Sequence, residues 1–260
     1  MASDDELIDA LRRRGYFVAP LRPASDIPDR DAYRPYFSGT EVFMPAFTSP
    51  VVEATVQRLL DLGKQTMVTR PKQWILLRCL AHVSSLPGEV WELGVFQGGT
   101  ALLLKNAMLE LGLEGSTCLR LFDTFEGMPE TDPELDLHRK GDFGEVSLAE
   151  VRRVVGEAGF LSYHPGLLPG SLAGLESARI RLAHIDLDIY ASIRSSLEFI
   201  YPRLVAGGAV VFDDYGVASC PGARRAVDEF FAARAEVPID LPTGQALVFK
   251  LPVVGPGPAE

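Results

Sequence analysis

Glu89-Val90-Trp91-Glu92-Leu93-Gly94-Val95-Phe96-Gln97-Gly98-Gly99-Thr100 is the stretch on which the reading of the fold turns. A short apolar run over 89–95 meets a glycine-rich turn, and a helical pattern follows over 100–111: strand, turn, helix. The same alternation continues downstream. Apolar runs recur at 117–123, 161–164, 180–187, 209–213 and 245–251, with helical patterns at 147–158, 192–204 and 221–235 between them. Ser147-Leu148-Ala149-Glu150 has the spacing of a capping box at the start of the second of these. Such alternation predicts βαβ units and a parallel, doubly wound α/β sheet with helices on both faces. The last run, Ala246–Phe249, follows Pro242-Thr243-Gly244 by a short turn instead of a helix, so its strand is expected to be antiparallel.

Upstream of this stretch the texture is helical. Ser3-Asp4-Asp5-Glu6 precedes Leu7, Ile8 and Leu11, and Gly15 can end that helix. Residues 18–48 hold five prolines among aromatics, too apolar a segment for a plain linker. Ser49-Pro50 opens a helix with Val52, Val56, Leu59 and Leu60 as its apolar stripe and Gly63 as its end. Pro71 opens another, carrying Ile75, Leu76, Cys79, Leu80 and Val83, which Pro87-Gly88 stops. The division expected is a helical section over 1–87 and a ligand-binding domain over 88–260.

Composition excludes several classes of function. With 47% hydrophobic and 23% charged residues the 260-residue chain is neither disordered, collagen-like nor a disulfide miniprotein. A formal net charge of -10 argues against nucleic acid or an anionic membrane as main partner. The basic runs Arg12-Arg13-Arg14 and Arg224-Arg225 sit beside acids in helical patterns and read as solvated faces. Three scattered cysteines, an acidic start and no long apolar run point to a cytoplasmic protein without a membrane span. A tail rich in Gly and Pro closes the chain at 255–258.

In open parallel sheets a ligand sits beyond the carboxyl ends of the strands, so the residues just past each strand carry the chemistry. After the first strand, glycines let a ligand approach free N–H groups at a helix N-terminus. Glu92 stands where the dinucleotide fingerprint has its first glycine. A carboxylate there repels pyrophosphate and suits an ammonium or sulfonium group; a tight turn with a solvent-facing Glu is the competing reading. After the second strand, Asp123 lies 24 residues past Gly99. That is near the roughly 20-residue spacing at which an acid reaches ribose hydroxyls, though a turn Asp is common there too. Ala183-His184-Ile185-Asp186-Leu187-Asp188 and Val210-Val211-Phe212-Asp213-Asp214-Tyr215 close two further runs. If these strands are adjacent, three carboxylates converge on one edge, and such a cluster calls for a hard cation such as Mg2+. The competing reading makes Asp213-Asp214 a turn and Asp188 a helix cap. His138 lies in a long polar stretch near 125–146 that is expected to fold over the site as a lid, unless it is an exposed surface residue. His184, within an apolar strand, reads as a satisfied core histidine.

Glu-x-Gly after the first strand, an acid after the second and a divided aspartate cluster resemble class I S-adenosylmethionine methyltransferases. Asp123-Thr124-Phe125-Glu126-Gly127-Met128-Pro129, His184-Ile185-Asp186-Leu187-Asp188-Ile189-Tyr190 and Phe212-Asp213-Asp214-Tyr215-Gly216, with Cys220-Pro221-Gly222-Ala223-Arg224-Arg225-Ala226-Val227-Asp228, narrow the resemblance. They are similar to the macrocin-type O-methyltransferases, which methylate sugar hydroxyls of natural products with Mg2+. The resemblance runs over about 60–251. It implies a Rossmann-like seven-stranded sheet with a helical cap and antibiotic biosynthesis as the setting. It further implies S-adenosylmethionine and Mg2+ as cofactors, a glycosylated small molecule as acceptor, and a homo-oligomer.

The resemblance also implies roles. Glu92, Gly94 and Thr100 would lie at the methionine end of the cofactor, and Asp123 and Thr124 at the ribose. Met67 and Val68 would flank the cofactor, and Gly166 would border the adenine. Asp186, Asp213 and Asp214 match the metal ligands. Catechol O-methyltransferase has a lysine base three positions after its first metal aspartate, where this chain has Ile189. Proton removal then falls to Asp186, to His138 or to solvent. Two competing functions are a metal-dependent methyltransferase of phenols or catechols and a non-enzymatic nucleotide-binding module on the same fold.

Overall fold

The computed structural model describes residues 49–64 and 66–252. The expected helix at 3–15, the segment 18–48, Arg12–Arg14 and the tail at 255–258 lie outside the described residues. In chain order the elements are α1 (Pro50–Asp61), α2 (Arg70–Val83), β1 (Glu89–Leu93), α3 (Gly99–Glu110), β2 (Leu119–Asp123) and α4 (Leu148–Val155). They continue with β3 (Leu161–Pro165), β4 (Ile180–Ile185), α5 (Tyr190–Ile200), β5 (Leu204–Phe212), α6 (Pro221–Phe231), β6 (Ile239–Asp240) and β7 (Ala246–Phe249).

The seven strands form one sheet in the order β3-β2-β1-β4-β5-β7-β6. Strands β1 to β5 are parallel, and β7 runs antiparallel to both β5 and β6. The order reverses between β1 and β4, so the crevice at their carboxyl ends is the place for a ligand.

Alternation along each strand feeds two apolar layers. Val90, Leu119, Leu121, Leu182, Ala209 and Val211 face α1 to α4 in one layer. Trp91, Phe122, Ala183, Ile185, Val210 and Phe212 face α5 and α6 in the other. Trp91 is fully buried against Phe122, with ring centroids 4.8 Å apart, and its indole N–H donates to Glu89 Oε2 at 2.8 Å. Truncating such a residue to alanine costs about 3–5 kcal/mol.

Local signals account for most boundaries. Pro stands in the first turn of α1, α2 and α6, where its missing N–H is one of the unpaired set. Ser147 Oγ accepts from Glu150 N at 3.3 Å and caps α4 as the spacing predicts. The differences are at ends. The helix expected over 147–158 stops at Val155, where Gly156 turns left-handed at φ 81. The one expected over 192–204 begins at Tyr190 and ends at Ile200, because the chain tightens around Pro202 and enters β5 at Leu204. The pattern over 221–235 forms a helix only to Phe231. Leu60 leaves the expected stripe and is 62% exposed, whereas Val51, Val52, Thr55 and Leu59 form the buried face of α1. Arg224 and Arg225 are solvated and pair with Asp228 and Glu229, as their pattern implies.

Candidate functional site

Backbone pairing carries on past the strand ends and aligns the site. Gly94 N donates to Phe122 O, Gly166 N to Asp123 O, Asp186 N to Leu93 O and Asp213 N to Ile185 O, all at 2.9 Å. Five neighbouring strands thus deliver Gly94, Asp123, Gly166, Asp186 and Asp213 to one edge in register. A Cβ on Gly94, which sits at φ +91, would overlap the Asp186 carbonyl oxygen, so only glycine lets β1 and β4 close up here.

A cavity of about 730 Å³ opens at this edge. It is lined by Met67, Val68, Gly94, Thr100, Asp123, Thr124, His138, Gly166, Asp186, Asp213 and Asp214, which is every predicted site residue except Glu92. Its size is that of a small-molecule site. Val68 is buried, while Met67 is 67% exposed at the rim. The segment between β2 and α4 holds no helix or strand, and it contributes Thr124, Met128, His138 and Phe143 to the wall.

At one end of the cavity the turn after β1 meets α3. The α3 cap is Gly98, left-handed at φ 86, with no side chain bonded to the first turn, so its N–H groups are open to an anionic group. Asp123 is more committed than a ribose reader need be. Its Oδ2 accepts from Val95 N and Phe96 N at 2.7 and 2.8 Å, and its Oδ1 from Phe125 N at 2.7 Å. The carboxylate therefore ties both ligand loops together and keeps part of Oδ1 for a ligand hydroxyl.

Behind this turn runs a buried polar row on the sheet face that packs against α2. Glu92 is fully buried, not solvent-facing, and both its oxygens lack a hydrogen-bond partner. Burial, then the charges of Asp123 and Asp213, push its carboxyl well above the ordinary range. His184 neighbours it across β1 and β4, with Nδ1 unpartnered at 3.9 Å from Glu92 Oε1 and Nε2 3.5 Å from Asp213 Oδ1. It is a buried histidine held between two carboxylates, only half satisfied. Lys72 of α2 ends the row: its Nζ donates to Asp213 Oδ2 at 2.6 Å and to Asp213 O at 2.8 Å. Gln245 Nε2 adds a bond to Asp213 Oδ1 at 2.9 Å. Burial alone would raise the Asp213 carboxyl, but His184 and Lys72 outweigh it and hold it down to about 2.

On the other side of the edge, carboxylate oxygens of Asp186, Asp188 and Asp214 lie within 4.8 Å of one another. The expected trio was Asp186, Asp213 and Asp214. The structure brings Asp186 and Asp214 together with Asp188, and turns the Asp213 carboxylate toward Lys72. Asp188 N donates to Asp214 Oδ2 at 3.1 Å, and Asp188 has φ 60, a left-handed conformation that is costly for a non-glycine residue. Burial, then the neighbouring aspartates, raise Asp186 well above the ordinary range and Asp214 to about 8. Asp188 is raised by burial, offset in part by Cys220 and His138. Asp214 is buried and Asp186 and Asp188 are half-buried, Lys72 and His138 offset their charges only in part, and an all-oxygen donor set fits a hard divalent cation. Asp188 is not a helix cap: the N-cap of α5 is Ile189, with no side-chain cap bond. Tyr190 N, at the start of α5, donates instead to Asp136 Oδ1 at 2.9 Å.

His138 is not a surface residue. Its side chain is 18% exposed, and its Nε2 lies 3.8 Å from Asp188 Oδ1 and 3.6 Å from Cys220 Sγ. The sequence reading missed Lys72 and Asp136, and it gave Asp188 no role in the site beyond a cap. Asp186-x-Asp188 was a signal for the last; for the others, contacts across 141 and 54 residues left none.

Three comparisons place this architecture. The macrocin-O-methyltransferase (TylF) family model matches residues 61–243. An 8-demethyl-8-(2,3-dimethoxy-alpha-L-rhamnosyl)-tetracenomycin-C 4'-O-methyltransferase from Streptomyces olivaceus is 34% identical over 180 residues, 64% of this chain and 67% of that protein. The solved O-methyltransferase NovP shares the fold with a TM-score of 0.67 at 21% identity, over 77% of this chain and 98% of NovP. TomG from Streptomyces achromogenes, solved with S-adenosylmethionine, does so with a TM-score of 0.51 at 17% identity, over 84% of this chain and 95% of TomG.

Proposed function

The chain belongs to the macrocin O-methyltransferase family, and from that premise we propose that it methylates a sugar hydroxyl of a glycosylated small molecule, with S-adenosylmethionine as donor and Mg2+ at the aspartate cluster. As an O-methyltransferase it is an enzyme, which removes the non-enzymatic alternative. The observation that carries the proposal is the sharing of one cavity by a glycine turn with an open helix N-terminus and a cluster of three close carboxylates.

S-adenosylmethionine supplies an electrophilic methyl group on a sulfonium. At the donor end, the open N–H groups of α3 take its carboxylate, with Thr100 beside them. Glu92, buried behind the turn with both oxygens unpartnered, would be drawn to its ionised form by the cationic part, and Met67 and Val68 would cover that part. Asp123, with Thr124, orders the loops around the ribose and offers Oδ1 to a hydroxyl; Gly166 borders the base.

Mg2+ lowers the pKa of a hydroxyl that it binds. Asp186 and Asp214, with Asp188 beside them, would hold it. Asp188, at the cavity wall beside this pair, would take the hydroxyl proton on its carboxylate. His138 stands behind it and steadies the charge. The chain has Ile189 where a lysine base would stand, so this aspartate–histidine pair fills that role. Holding donor and acceptor in one dry cavity supplies the remaining advantage, that of orientation.

The test is labelled-methyl transfer from S-adenosylmethionine into rhamnosylated aglycones, with simple diphenols as the comparison. Transfer to the sugar that EDTA stops and Mg2+ restores is the expected result. Full activity in EDTA, or a preference for the diphenols, overturns the proposal.

A further inference from the structure

His138, Asp188 and Cys220 form a second constellation beside the carboxylate cluster, which shares Asp188 and His138 with the proposed methyl transfer and adds Cys220. Their ligand atoms lie within 4.8 Å of one another and line the same cavity. Sγ of Cys220 is 3.3 Å from Asp188 Oδ1 and 3.6 Å from His138 Nε2, which is 3.8 Å from Asp188 Oδ1. Tetrahedral Zn2+ with ordinary bond lengths sets its ligand atoms about 3.5 Å apart for sulfur–oxygen, about 3.6 Å for sulfur–nitrogen and about 3.3 Å for nitrogen–oxygen. The three atoms thus outline one face of such a tetrahedron, to within about 0.5 Å on each edge. The donors are a thiol, an imidazole and one carboxylate, a softer set than the three aspartates next door.

The surroundings of His138 favour the same reading. Its Nδ1 faces Asp142 Oδ2 at 3.3 Å, and Asp142 is itself fixed by Arg139 N at 2.9 Å. With the ring N–H given to Asp142, the lone pair of Nε2 points at Cys220 and Asp188. A carboxylate behind a histidine is the usual outer support of a metal-ligating imidazole. The three ligands come from separate parts of the chain: His138 from the segment between β2 and α4, Asp188 from the end of β4, and Cys220 from the cap of α6.

We propose that His138, Asp188 and Cys220 form a binding site for a borderline-soft divalent cation of the Zn2+ type, with its fourth position open to the cavity. Binding forms a metal–sulfur bond and releases the Cys220 proton to solvent. Because the site takes Asp188 from the carboxylate cluster and fastens 125–146 to α6, an occupied site stops turnover. The binding claim stands without the methyl-transfer reading, because its main readouts need no activity.

The test uses the untagged full chain in saturating Mg2+, titrated with Zn2+ by calorimetry in two buffers and with Co2+ by absorbance. One ion per chain, release of a proton and a thiolate-to-Co2+ charge-transfer band are expected. Cys220→Ser should lose the band and weaken Zn2+ roughly 100-fold or more, whereas Cys118→Ser should leave both unchanged. Asp142→Asn, which alters no ligand and sits at an exposed position, should weaken Zn2+ by roughly 10–100-fold. Micromolar Zn2+ should inhibit turnover in Mg2+, scored for each variant against its own rate without Zn2+. No charge-transfer band in the wild type, or equal Zn2+ affinity for wild type and Cys220→Ser, overturns the site. A site confirmed by the band in a protein that transfers no methyl group would overturn only the proposed function.

Discussion

Lys72→Met is the substitution that most directly tests the buried polar row. Methionine keeps the length and apolar volume of the lysine stem but removes the ammonium that contacts Asp213 at 2.6 Å. The two side chains are 11% and 4% exposed, so the remaining aspartate is left with negative charge away from water. Breaking such a pair from one side costs about 3–5 kcal/mol. Gln245 still donates to Asp213 Oδ1 at 2.9 Å, which puts the expectation at the lower end, about 3 kcal/mol. For a domain of this size that lowers Tm by about 6–12 °C.

The dependence on pH has a definite sign. Asp213 is held at about 2 in the folded chain against an ordinary 3.8. Its contribution to stability is therefore complete above 3.8 and is lost as pH falls from there toward 2. Lys72 is raised above 10.5, because its attraction to Asp213 outweighs the burial that alone would lower it. Its contribution persists up to 10.5 and fades only as pH rises through the higher folded value. Urea unfolding of wild type and variant, without added metal, should differ fully at neutral pH and converge in strong acid. Lys72→Met/Asp213→Asn should recover part of the loss, with a coupling of about 2 kcal/mol. A single-variant cost below about 1 kcal/mol at neutral pH, the size of a surface pair, would refute the buried pair.

Glu92→Gln should act in the opposite direction. A carboxyl raised above its ordinary 4.5 destabilises the fold increasingly as pH rises from that value toward the folded one, so the amide should stabilise the ligand-free chain at neutral pH and be neutral near pH 4. Urea curves check this, and a variant less stable at pH 8 than wild type would contradict it. Asp123→Ala should weaken S-adenosylhomocysteine by about 1.5–3 kcal/mol, more than tenfold by calorimetry. An unchanged affinity would mean that the loops tied by Asp123 do not form the donor site. Asp188→Asn and Asp213→Asn distinguish the two ligand sets by Mg2+ titration. The first should weaken Mg2+ more than the second, and the reverse order would restore the trio expected from sequence.

Much of the fold was legible because it rests on local patterns. Alternating apolar runs and capped helices were enough for a doubly wound sheet, and the short turn at 242–244 for an antiparallel last strand. Strand β6 was not, because two exposed residues, Ile239 and Asp240, carry no periodic signal and owe their pairing to β7. The glycine turn, Asp123 and the paired strand ends could be found from sequence because parallel strands open on one edge. Which way each side chain points at that edge was not stated by the motif. Lys72, separated from Asp213 by 141 residues, reads in α2 as an ordinary surface lysine until the sheet is assembled.

The distinction between Asp213 and Asp214 follows from strand geometry. In β5, Ala209 and Val211 face α2 while Val210 and Phe212 face α5 and α6. Asp213 still pairs through its N–H with Ile185 O, so the alternation carries one residue further. It therefore continues the face of Val211, toward Lys72 and beside His184, and Asp214 continues the face of Phe212, toward Asp188. Two adjacent aspartates at the end of one strand are in this way assigned to different neighbours: Asp213 to Lys72 and His184, Asp214 to the carboxylate cluster with Asp186 and Asp188. Consecutiveness in a strand is what sends the two to opposite faces. Lys72 compensates Asp213 from within the protein, and Asp214 is the one that the proposed cation would compensate.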